Sequence, residues 1–145
     1  MQSAYLILYH KQSTSARTRF LRHDHGGICG PTPLPASARL ESASPPSAVT
    51  DSAGTVLTHP AMMLRGAEAD LQLPRGSLVA DPGFRCRLCT DTDIGEVQLG
   101  RFTSTDPPFA AAKAAGASFI DLIQARGLPA LEMQLLRLAY EHVLG

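Results

Sequence analysis

Cys86-Arg87-Leu88-Cys89 is the one stretch of this chain whose residue types and spacing match a recognised chemistry. A C-x-x-C pair can clamp zinc, hold an iron–sulfur cluster or cycle between dithiol and disulfide. A structural zinc asks for four ligands, and no second C-x-x-C and no histidine lies nearby. The remaining donors are His23, His25 and Cys29, far upstream in His23-Asp24-His25-Gly26-Gly27-Ile28-Cys29. If residues 84–90 form a regular strand, Cys86 and Cys89 project to opposite faces and share neither a metal nor a disulfide. The expectation is a buried core Cys86 beside an incidental Cys89. The alternative is a zinc or redox site on Cys86 and Cys89, completed by His23, His25 and Cys29. Three cysteines, an odd number, fit reduced thiols in a cytoplasm better than a disulfide scaffold.

Other reactive groups are scattered. Asp91-Thr92-Asp93, with Glu96 close by, has the charge for a divalent cation. It lacks the glycine position and distal glutamate of a calcium loop and reads as a solvated turn. The glycines around Cys29 carry neither a phosphate-loop lysine nor the dinucleotide pattern, and no G-x-S-x-G is present. His142 falls in the last turn of a helix, where a cation complements the dipole. Asp121 reads as a carboxylate at a strand end. No serine, histidine and aspartate set emerges.

The elements that must position these groups are clearest in the C-terminal third. Asp106-Pro107-Pro108 has the chemistry of a helix start, and Gly116 suits the left-handed residue after a helix end, which predicts a short helix over 107–115. Ala117 to Ile123 is short, apolar and partly β-branched, so a strand is expected near 118–123, with a helix continuing to Arg126 as the other solution. Gly127-Leu128-Pro129 resets the chain for a long amphipathic helix over 129–143. In it Leu128, Leu131, Leu135, Leu138 and His142 recur on one face. Glu132 lies in its first turn, where the dipole favours a carboxylate. Burying five such side chains contributes up to about 10 kcal/mol before entropy is subtracted. The stripe is a core face in the first instance. It is also wide for so short a chain, so Leu131, Leu135 and Leu138 are the candidate residues for docking a partner or a second copy.

Upstream, Phe84, Cys86 and Leu88 alternate with arginines, and Val97 and Leu99 alternate with Glu96 and Gln98, which predicts a hairpin over 84–103. Asp81-Pro82-Gly83 reads as a turn, and Gly95 and Gly100 as candidate bulges. The expected fold is α+β: a small antiparallel sheet, covered on one face by the short helix and the long C-terminal helix. Residues 63–145 form its single domain. Residues 1–61, dominated after Gly26 by Gly, Pro, Ser and Ala, read as a low-complexity, disordered extension in which only Ala4 to Tyr9 suggests a strand. Met62 and Met63 would serve as alternative starts, with the upstream residues then outside the genuine protein.

Composition narrows the function classes. The chain has 145 residues, 13 basic and 13 acidic, with no net charge. There is no global field to draw nucleic acid or an anionic membrane. Through residue 61 the balance is mildly basic (Lys11, Arg17, Arg19, Arg22 and Arg39 against Asp24, Glu41 and Asp51) and after it mildly acidic. No run approaches the roughly 20 apolar residues of a membrane span, and Met1 to Tyr9 lacks the charged start of a secretory signal. The arginines at 17, 19 and 22 share the composition of an organellar transit peptide, but a cytoplasmic location is the default. The sequence thus predicts a small non-enzymatic bacterial-type module acting through protein contacts or self-association, with the thiol or zinc protein as the alternative.

Overall fold

The computed structural model describes residues 3–12, 15, 17–30, 34–41, 60–91 and 94–144. In chain order the elements are β1 (Ser3–Lys11), β2 (Thr18–Arg22), β3 (Arg39–Glu41), α1 (Pro60–Asp70), β4 (Leu78–Cys89), β5 (Ile94–Phe102), α2 (Phe109–Ala114), β6 (Ser118–Ile120), a 3₁₀ turn (Gln124–Gly127) and α3 (Ala130–Leu144). The class is α+β, as the sequence implies. The sheet is larger than the hairpin and one added strand expected from it. Among the described residues it has six strands, in the order β3-β4-β5-β1-β2-β6.

The first correction concerns the N-terminal segment. β1 runs parallel to β5 from Ser3↔Gly95 to Tyr9↔Arg101, and its end pairs antiparallel with β2 through Tyr9↔Phe20. β2 in turn holds β6 through Phe20↔Ile120. Residues 3–11 and 18–22 are therefore built into the sheet, and β3 adds a short strand against the end of β4. The physical reason stands in Tyr5-Leu6-Ile7-Leu8-Tyr9. A continuous apolar run is what a strand covered on both faces requires. Leu6 and Leu8 enter one core, while Ile7 and Tyr9 enter the other. The strand suggested at Ala4 to Tyr9 is present, and what the glycine- and proline-rich stretch behind it hid is that it belongs to the sheet. Residues 42–59, also assigned to the extension, lie outside the described residues.

The second correction is the layering. The expected single helical layer is two. α3 packs Leu135, Leu136 and Ala139 onto the face carrying Ile7, Phe20, Leu88, Val97 and Leu99. α1 and α2 bring Leu64 and Ala112 to the opposite face, with Leu6, Leu8, Leu21 and Phe102. Each face of the sheet is apolar and each needs a cover.

Asp81-Pro82-Gly83 does not reverse the chain. β4 continues through it, with the register passing from Asp81↔Leu99 to Cys86↔Val97. The odd number of extra residues on β4 switches its phase, so Leu78 faces the α1 side and Cys86 the α3 side. The irregularity falls here, where Pro82 cannot donate to a ladder, and not at Gly95 or Gly100, which stay in register. α2 begins two residues later than Asp106 suggests. Pro108 is its cap residue, and Asp106 instead accepts from Gln12 Nε2 at 3.2 Å. Its end is as expected. Gly116 sits at φ +77°, and the Gly116 and Ala117 amides donate back to Lys113 and Ala112.

Candidate functional site

His23 to Gly30 leaves β2 as a tight loop laid against the start of α3. The Gly26 amide donates to the His23 carbonyl at 2.9 Å, and the His23 amide to the Gly27 carbonyl at 2.8 Å. Ile28, fully buried, anchors the loop in the core. Its amide donates to Glu132 Oε1 at 2.8 Å, which spends the expected first-turn carboxylate on a contact across the molecule. The loop comes so close to that carboxylate that a Cβ on Gly27 would collide with Glu132 Oε1. Any side chain there must push the Glu132 carboxylate or the His25 ring aside.

Beside this latch opens a cavity of about 460 Å³, within the ordinary range for ligand sites of about 300–1,000 Å³. Its apolar walls include Leu34, Pro35, Ala36, Pro129 and Leu131, and its polar ones Arg22, His25 and Glu132. Arg22 is held by Nε, which donates to the Gly26 carbonyl at 3.0 Å. Among the described residues its two terminal amino groups have no hydrogen-bonding or ion-pair partner, and Glu132 Oε2 accepts no hydrogen bond. His25 has no nitrogen to spare. Nδ1 accepts from the Gly27 amide at 3.1 Å, so Nε2 carries the proton and donates to the Gly30 carbonyl at 2.8 Å.

A second cluster lies at the other end of α3. Asp81 Oδ2 accepts from the Tyr9 hydroxyl at 2.8 Å, and Asp81 Oδ1 lies 2.9 Å from His142 Nε2. Burial, with the Asp81 contact added, pushes the Tyr9 hydroxyl above its ordinary titration range, against the pull of Arg101. His142 also meets the ring of Phe84 edge-on. These groups come from β1, β4 and α3, and they tie the last turn of the helix to the sheet. Sequence reasoning singled out only His142 and could not find the others, because the partners are 61 and 72 residues apart along the chain.

The cysteines do not converge. Cys86 lies in the α3-side core and is 5 % exposed, while Cys89, three residues on, is half-buried at the last position of β4. Among the described residues their thiols are not joined in a disulfide, and neither is that of Cys29. Cys29 is buried in the same core as Cys86, and burial, helped by the charge of Glu132, pushes its thiol well up. His23 and His25 stack, with ring centroids 5.7 Å apart. Among the described residues no group of three or more His, Cys, Asp or Glu is placed to hold a metal ion. The docking stripe is partly drawn into the core. Leu135 is fully buried, and Leu131 and Leu138 pack against the same core. Of the expected site residues, the structure brings His25 and Leu131 to one cavity, with Arg22 and Glu132, which sequence reasoning did not single out for binding. Asp91 is exposed, and the next two residues of its turn lie outside the described residues.

Comparison with protein families and with curated proteins finds no match for this chain. Among the described residues no helix is long and apolar enough to cross a membrane.

Proposed function

We propose that this protein is a small non-enzymatic module acting through contacts with another protein, and that it makes them at the cavity between the His23–Gly30 loop and the start of α3. One observation carries this reading. A half-buried guanidinium with open amino groups and a carboxylate oxygen with no donor converge on an apolar-walled cavity. Unmet hydrogen-bonding groups beside apolar surface are what an occupant would satisfy. The commitment of both His25 nitrogens to the backbone takes the imidazole on the cavity wall out of proton transfer and so favours binding. The three cysteines outside any disulfide support a reducing, cytoplasmic setting. Zero net charge supports a protein partner over nucleic acid or a membrane surface.

The test is photo-crosslinking in cells that make the full chain, with a photoreactive phenylalanine analogue at Ala36 on the cavity wall or at Gln134 on the outer face of α3. Both positions are exposed. A discrete protein adduct from Ala36, weakened by Arg22→Gln and not formed from Gln134, is the expected result. The same adducts from both positions, or none from Ala36, would remove the cavity from the function.

A further inference from the structure

We infer that the occupant of this cavity is the C-terminal residue of a partner polypeptide, with its terminal carboxylate on Arg22. The inference rests on the protein-contact reading above and adds the chemistry of what is bound. Arg22 presents the planar fork that pairs two-pronged with a carboxylate, and its Nε bond to the Gly26 carbonyl fixes the direction of that fork before any ligand arrives. Charge complementarity therefore asks for an anion at this wall. The remaining polar group asks for something else. Glu132 already takes the Ile28 amide on Oε1, and its second oxygen can only accept. An occupant that meets both groups brings a carboxylate and an N–H donor into the one cavity. A chain terminus does so within one residue, as terminal carboxylate and its own amide. An internal aspartate or glutamate holds its carboxylate further from the main-chain N–H. A phosphate or sulfate brings no N–H. The walls of Leu34, Pro35 and Leu131 then receive the last side chain, which is expected to be apolar.

The experiment uses the full-length protein, fluorescently labelled, against random hexapeptides on beads. One library ends in free carboxylates, the same library ends in amides, and a mixture of free amino acids serves as competitor. The expected result is enrichment of free-carboxylate peptides sharing an apolar last residue, at least tenfold over their amides. Arg22→Gln abolishes that binding, Arg22→Lys keeps part of it, and both variants still melt in one cooperative transition. Equal binding of acids and amides, with both lost in Ala36→Trp, overturns the carboxylate inference and leaves the cavity reading standing. Selection of internal Asp or Glu from the amide library overturns the terminus. Displacement by free amino acids at the peptide's own concentration overturns a polypeptide occupant. Enrichment from neither library overturns the inference as well, and the adduct from Ala36 then decides the broader reading separately.

Discussion

Glu132 is 6 % exposed although it lies in the first turn of a surface helix, and its partner is the amide of Ile28. Replacing it with alanine leaves that buried donor unmet, which costs about 1–3 kcal/mol in urea melts, whereas glutamine keeps an acceptor and costs less. Gly27→Ala should cost a comparable amount, about 1–3 kcal/mol, because the added carbon meets Glu132 and the His25 ring and the latch must shift. His23 supplies a pH signature. Burial, reinforced by His25 and opposed by Asp24 and Asp70, lowers its imidazole from 6.5 to about 4. Between those values the unfolded chain binds the more protons, so this contribution to stability is complete above about pH 6.5 and is lost as pH falls towards 4. Urea midpoints between pH 7 and pH 4.5 should fall, and His23→Gln should flatten that fall. The thiols should also separate by burial. Cys89 is expected to react with an aromatic disulfide reagent in the native state, and Cys29 and Cys86 only on unfolding. Native protection of Cys89 or early labelling of Cys86 would contradict this placement.

At the scale of elements, α3 is fastened to the sheet at both ends. Glu132 holds its first turn to the His23–Gly30 loop, and Asp81 holds its last turn through His142. Lys11 Nζ donates to the Val143 carbonyl at 3.2 Å, satisfying one of the acceptors a helix end leaves open. Tyr9→Phe and His142→Ala each remove one contact from the same carboxylate. Each is expected to cost about 1 kcal/mol, and the double variant should depart from additivity. Faster amide exchange over residues 140–144 in His142→Ala, with β5 unchanged, would locate the effect in the last turn. A uniform change across the sheet would mean that the contact is part of global stability instead.

At the scale of the molecule, β1 is the strand on which the sheet depends. It separates β5 from β2 and sends alternate side chains into both cores. A fragment of residues 63–145 would lose β1, β2 and β3, leaving β5 with an open edge and β6 without β2 beside it. Both cores would lose fully buried side chains, among them Ile7, Leu8, Phe20 and Leu21. That fragment is expected to lack a cooperative melting transition and to aggregate through its exposed edge. A cooperative melt from 63–145 would show that the N-terminal strands are an accessory to the fold.

The amino-acid sequence determined by itself what depends on neighbours along the chain. The period-2 alternation of Phe84 to Leu88 and of Glu96 to Leu99 specified the hairpin, the leucine spacing specified α3, and Gly116 specified the end of α2. It also implied that Cys86 and Cys89 could not face one another, since strand geometry is a local property. Tertiary structure decided the rest. Tyr5 to Tyr9 carries the same letters whether it lies in a loose extension or in the middle of a sheet, and only the two faces of the assembled sheet give it a place. The two-layer covering could not be read from the helices, because an apolar stripe states that a cover is needed and not which face supplies it. The cavity arises because Arg22, His25 and Glu132, on β2, its following loop and α3, are brought together by contacts that span more than a hundred residues. Such groups leave no spacing in the chain, since the physical link between them is the packed core and not the backbone that joins them.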